Sequence, residues 1–282
     1  MQYQELQPDW PLNLFVECFW TLEAEHVATS SPERVLPDGC AEMILNFGDR
    51  FQQHKVGSIE VQPRFFLVGQ ITGPLSISPT GIVRLIGIRF HPGGTRPFLK
   101  LPMHEITNQY VNLDDIPEYF PPEWIKPLED ATSLSEAIKK LASVLLSKIQ
   151  RTTTDLSSLT LARRIIQERG LVSVDQVADD AGISTRQLER KFLRDVGIGP
   201  KLLGRILRFQ EVFRAVSQEN PSWARVAVEC GYYDQAHLIR DFRKFSATTP
   251  SMLFSGRNAL TEAFSRKDRM SNFSNTNQLA FR

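Results

Sequence analysis

Two short stretches of this sequence carry cations at a spacing suited to polyanion chemistry. In "RQLERKFLRDVGIGP", residues 186–200, Arg186, Arg190 and Arg194 recur every four residues, and in "AHLIRDFRKFSATTP", residues 236–250, Ala236, Arg240 and Lys244 hold the same register. Projected at about 100° per residue, each triplet lies on one helical face. The opposite face carries Leu188, Phe192 and Val196 in the first stretch and Leu238, Phe242 and Phe245 in the second. A guanidinium fork matches the O6/N7 edge of guanine or the oxygens of a phosphate, so a short helix with outward cations suits the major groove of duplex DNA. For one such helix a solvated face explains the charge equally well. Two matched helices in one chain argue against that.

Other chemistry finds no constellation. The sequence has no GxSxG, no phosphate-cradling GxxxxGK[ST], no HExxH and no CxxC, so it offers no catalytic residue and no cofactor site. His26, His54, His91 and His104 stand alone with no HxH pair, and a metal centre needs several ligands close in space, so no metal is expected. Cys40 sits beside Gly39 in an expected turn without a basic neighbour to activate it. A small apolar role suits it better than redox sensing. An enzymatic barrel in the first 130 residues is the remaining alternative, because a fold does not exclude chemistry.

The elements that must position the cations form a repeat. Leu188, Arg190, Phe192 and Pro200 answer to Leu238, Arg240, Phe242 and Pro250, while upstream Val177-Ala178 and Gly182 answer to Val226-Ala227 and Gly231. A small alanine lets two helices approach, and a glycine four residues later accepts the positive φ of a tight turn, which together specify a helix-turn-helix. Ser184 and Asp234 stand where the second helices need N-caps. From Lys201 to about Ser217 an apolar stripe including Leu203, Ile206, Phe209, Val212 and Phe213 predicts one helix joining the units, a spacer of roughly 25 Å. Lys201 and Arg205, near its start, are expected to rest on the DNA backbone if they touch DNA.

Composition divides the chain. Residues 1–154 carry 13 Lys+Arg against 18 Asp+Glu, whereas residues 155–256 carry 15 against 12, so a polyanion suits the second half alone. Short apolar runs such as "AEMILNF" and "IVRLIGIRF", broken by Pro and Gly, predict strands before about residue 130. Leu134, Ile138, Leu141, Leu145 and Ile149 then repeat at helical spacing; this stripe serves either dimerisation or docking on its own domain. The expected organisation is a β-rich domain over 1–130, a connecting helix and linker over 131–154, a tandem helix-turn-helix domain over 155–256, and a polar, disordered tail over 257–282. The fold class is therefore α+β, with a β-rich domain followed by an all-α one. No apolar run suits a membrane span and the start lacks a secretory pattern, so a cytoplasmic protein is expected.

"CGYYDQAHLIRDFRKFSATTPSMLF", Cys230 to Phe254, resembles the signature of AraC/XylS-type bacterial transcription regulators, and the resemblance covers about residues 158–256. It implies a sequence-specific transcription factor that binds promoter DNA and RNA polymerase. It also implies that residues early in the two recognition helices, Arg186, Glu189 and Arg190 and then Gln235, Ala236 and Arg240, touch base edges. The signature usually has Gly before "LTP", where this chain has Ala247 and Thr248. "RVLPDGCAEMILNFG", "FLVGQITGP" and "LIGIRFHPGG" resemble a sensor-like domain found in front of such DNA-binding domains, which implies a cupin-like barrel. That domain either takes a small-molecule effector or only forms a homodimer.

Overall fold

The first half forms ten strands, four of them on its apolar runs, in the computed structural model, which describes residues 2–25, 32–149, 155–216 and 221–255. They are β1 (Gln2–Leu6), β2 (Val16–Ala24), β3 (Glu33–Val35), β4 (Ala41–Asn46), β5 (Phe51–Lys55), β6 (Ser58–Val61), β7 (Phe65–Val68), β8 (Leu75–Pro79), β9 (Val83–Phe90) and β10 (Tyr110–Asn112). His26, residues 150–154 of the linker and the expected tail lie outside the described residues.

The strands form two antiparallel sheets, six-stranded in the order β1-β2-β9-β4-β7-β10 and four-stranded in the order β3-β8-β5-β6. Among the described residues no strand pairing joins them. The domain is therefore an open sandwich, and the expectation of a cupin-like barrel is corrected. Local apolar runs locate strands, but closure depends on pairings between strands distant in sequence, which the runs do not encode.

The six-stranded sheet is buried on both faces because its strands alternate two apolar sets. Met43 and Leu45 of β4 and Ile86, Ile88 and Phe90 of β9 pack with helical segments on one side. Trp20, Ile44, Phe66 and Leu85 face the smaller sheet on the other. With period 2, Arg89 falls on the sandwich side, in register with Glu42 of β4 and Cys18 of β2. Helices α1 (Pro122–Glu129) and α2 (Leu134–Ile149) cover the first side. Leu134, Ala137, Ile138, Leu141 and Leu145 of α2 are buried in that same core. The stripe of α2 is thus spent on its own domain.

The second half is helical: α3 (Ser157–Gln167), α4 (Val174–Asp180), α5 (Thr185–Asp195), α6 (Pro200–Ala215), α7 (Trp223–Glu229), α8 (Gln235–Ser246) and α9 (Pro250–Ser255). The pairs α4–α5 and α7–α8 are the two helix-turn-helix units. Their turns use Gly182 at φ 64° and Gly231 at φ 74°, and Ala178 and Ala227 are fully buried between their helices. Ser184 caps α5 by accepting from the Gln187 amide in a capping box, and Asp234 caps α8 by accepting from the His237 amide. Ala247 takes the left-handed position that glycine usually holds and still closes α8 through its N–H to the Arg243 carbonyl. Both units share one core through α6, in which Phe209 meets Phe242 and Phe245 at ring-centroid distances of 4.8 and 5.3 Å.

The two domains meet over both units. Arg163 donates to the Leu14 carbonyl at 2.6 Å, Thr107 to the Gly197 carbonyl at 2.7 Å, and Arg34 to the Ser246 carbonyl at 3.4 Å. At this junction His91 is buried, its Nε2 lying 3.2 Å from the Asn13 carbonyl. Burial, with the nearby Arg163 charge, lowers its pKa from 6.5 to about 3. The folded value lies below the unfolded one, so between these pH values the unfolded chain binds the proton first. His91 therefore supports the fold fully above about pH 6.5 and loses that contribution as the pH falls toward 3. Stability should drop by about 2 kcal/mol from this residue between pH 7 and pH 5. Urea titrations should show that dependence weakened in His91→Gln; an identical pH slope in the variant would remove His91 as its source.

Candidate nucleic-acid interface

Helices α5 and α8 present their N-terminal halves outward and press their C-terminal ends against the first domain. Arg186 and Arg190 of α5, and Gln235, Ala236 and Arg240 of α8, are exposed. At the other ends Asp195 is fully buried and ion-paired to Arg96 at 3.1 Å, and Ser246 meets Arg34. No ion pair among the described residues engages Arg186, Arg190 or Arg240. Their guanidinium groups keep their donors for an outside partner. The helices are joined by α6, whose 16 residues make a spacer of about 24 Å. It packs against α3, α5, α7 and α8, so the two outward faces are held by one core.

Other residues read as DNA contacts are placed differently. Arg194 is exposed but bidentate to Asp195, at 2.7 and 2.8 Å. Glu189 is half-buried, and its carboxylate lies over Gly199, the N-cap of α6, where a Cβ would meet it at 2.5 Å. There it faces a helix N-terminus, which favours negative charge, and α6 rather than an open groove receives it. Arg205 is committed inward: its Nη2 donates to Asp241 Oδ1 at 2.6 Å, and Asp241 is only 1% exposed. This ion pair engages the guanidinium that was expected to rest on the DNA backbone if it touches DNA. Lys201 and Lys244 are exposed. Two exposed residues beside these helices escaped the sequence reading, Tyr233 in the turn before α8 and Arg243 within it. The doubled tyrosine in "CGYYD" was the available signal.

The first domain contributes a cavity of about 100 Å³ between its two sheets. Trp20, Phe51, Phe66 and Tyr110 supply apolar walls and Arg89 a buried charge. Gly87, lacking a Cβ, lets the Trp20 indole lie flat across β9. Burial disfavours the Arg89 cation, but the adjacent carboxylates of Glu42 and Asp38, 2.6 and 3.3 Å from Nε, outweigh that and hold it charged. Cys40 donates to Glu17 at 3.2 Å, and burial followed by the Glu17 charge pushes its thiol up, which keeps it an unreactive thiol. Among the described residues no group of three or more His, Cys, Asp or Glu is placed to hold a metal ion, and no helix is long and apolar enough to cross a membrane.

One segment touches the cavity and the spacer helix together. Val35, Leu36, Asp38 and Cys40 line the cavity. Leu36 is at the same time buried in the core of the helical domain. Next to it the Pro37 carbonyl accepts from Gln210 of α6 at 2.5 Å, and Gly39, at φ 88°, lies against Leu203 so closely that a Cβ would meet it at 2.9 Å.

Residues 177–256 match the family described as "Helix-turn-helix domain", and residues 4–112 match a "Domain of unknown function (DUF6597)". No curated protein matches the chain. Among solved structures, ToxT from Vibrio cholerae is similar at 11% identity, covering 84% of this chain and 98% of that one with a TM-score of 0.45. A ToxT structure with a bound unsaturated fatty acid covers 83% and 92% at 12% identity and a TM-score of 0.40. The AraC-like transcriptional activator CuxR covers 74% and 79% at 12% identity and a TM-score of 0.27.

Proposed function

We propose, for a chain whose residues 177–256 are an AraC-type helix-turn-helix domain, that it is a one-component transcription regulator reading specific duplex DNA with two recognition helices. The observation that carries this reading is the pair of outward helix N-termini, with Arg186, Arg190, Gln235 and Arg240 exposed on a single shared core. Arg186, Arg190, Gln235 and Arg240 read bases; Lys201 and Lys244 supply phosphate contacts, and Ala236 offers only its methyl to a thymine. The sandwich serves as the effector domain. Residues 35–40 support that role, because whatever fills the cavity presses on the same segment that holds α6.

The test is alanine substitution at Arg190 and at Arg240. Each should cost about 1 to 3 kcal/mol on the cognate site and little on random DNA. The cognate site comes from genome-wide occupancy. Equal losses on both DNAs would make these residues phosphate contacts, and no loss on either would remove them from the interface.

A second reading, in which the first domain only dimerises, has one observation in its favour. The edge strand β6 leaves Ile59 and Val61 exposed at 60% and 54%, and such an edge can pair with a second copy. Sedimentation of the full chain and of a variant with lysine at both positions decides it: a monomer throughout rules it out.

A further inference from the structure

We propose that the cavity between the two sheets takes a small organic amine, a cation carried on an aromatic or apolar body. The inference names the ligand class of the effector domain and rests on that reading.

Size and walls set the body. A cavity of about 100 Å³ is of the order that accepts a benzene ring, since a dry apolar cavity of roughly 150 Å³ does so. Trp20, Phe51, Phe66 and Tyr110 line it. Aromatic faces attract a desolvated cation as well as an apolar ring.

Charge selects the head group. The charged residues of the lining are Asp38, Glu42 and Arg89, two carboxylates against one guanidinium. Arg89 already holds Glu42 at 2.6 Å and Asp38 at 3.3 Å through Nε, and Glu5 at 3.7 Å through Nη1. A ligand carboxylate would meet like charges in a low-dielectric site and would have to compete with them for that one cation; an ammonium is attracted by both.

An independent observation comes from the opposite sheet. Gln53 of β5 lines the cavity, is 7% exposed, and its Oε1 has no hydrogen-bond partner among the described residues. A buried acceptor of this kind calls for a donor, and an ammonium brings three. Arg89 Nη2, also without a partner, calls for an acceptor. A hydroxyl on the same ligand supplies one, so a hydroxylated arylalkylamine fits better than a plain one.

The probes are phenethylamine, its near-isosteric anion phenylacetate, and neutral 2-phenylethanol, titrated into the full chain by calorimetry at neutral pH. Phenethylamine should bind about tenfold or more tightly than either of the others. Because replacing Glu42 would disturb Arg89, the discriminating variant is Gln53→Leu, which keeps every charge; it should weaken phenethylamine about tenfold and 2-phenylethanol less, since the single hydroxyl can instead accept from Arg89 Nη2. Phenylacetate binding as tightly as the amine, failure of the amine to bind, or amine affinity untouched by Gln53→Leu would each overturn the proposal. Binding of phenylacetate alone would overturn the amine and leave an effector cavity standing. Operator binding by the ligand-free chain, measured in parallel, reports on the DNA reading separately.

Discussion

Inserting 5 base pairs between the two protected elements of the operator should reduce specific affinity to nearly that of a site with one element scrambled. The reason lies in α6. Its 16 residues set a separation of about 24 Å, and the helices packed on either end extend it toward the roughly 34 Å of one duplex turn. Phe209 of α6 is fully buried against Phe242 and Phe245 of α8, and Leu203 and Ile206 of the same helix lie in one cluster with Leu188 and Phe192 of α5. Among the described residues, α6 shares one buried cluster with both units. Half a turn of added DNA moves one element to the opposite face, and a rigid reader cannot follow it. Each misplaced base contact costs about 1 to 3 kcal/mol, so loss of one element amounts to roughly a hundredfold or more in affinity. An insertion of 10 base pairs separates angle from distance, since it restores the face but not the spacing. Full affinity for the 5-base-pair insertion would mean that the units are flexibly joined or that only one of them reads DNA.

Arg205→Ala should destabilise the folded chain by about 3 kcal/mol while leaving the salt dependence of DNA binding unchanged. The variant strands Asp241, 1% exposed, whose carboxylate is held by the Arg205 guanidinium at 2.6 Å across α6 and α8. A buried carboxylate without its partner costs far more than an exposed ion pair contributes. Arg205→Met with Asp241→Leu should recover most of the loss, because it removes the stranded charge and keeps the packing. Denaturant midpoints check the first effect, and the slope of log affinity against log salt the second. An Arg205→Ala chain of unchanged stability, with a slope lowered by about one unit, would return Arg205 to the DNA backbone.

The contrast between Arg190 and Arg205 shows where sequence reading stops. Both are arginines on amphipathic helices, and periodicity leaves both free of the main apolar stripe. Arg190 is exposed as expected, because its position follows from the same local register that buries Leu188 and Phe192. Arg205 points to an acid 36 residues away, and no local pattern announces that. Glu189 behaves likewise, drawn to the N-terminus of α6 at Gly199.

By itself the sequence determined the tandem helix-turn-helix. Alanine, glycine and cap residues act within a few positions of themselves, so Ala178, Gly182 and Ser184, and then Ala227, Gly231 and Asp234, specify each unit wherever it sits. Tertiary structure alone decided the rest. It left the strands as an open sandwich, set Arg89 inside it among acids from β1, β4 and the turn before β4, spent the α2 stripe on the first domain's own core, and buried Leu36 among helices of the other domain. Each of these outcomes depends on contacts between residues far apart in the chain. Helical and strand periods record which face of an element is apolar, and leave open which distant surface that face will meet.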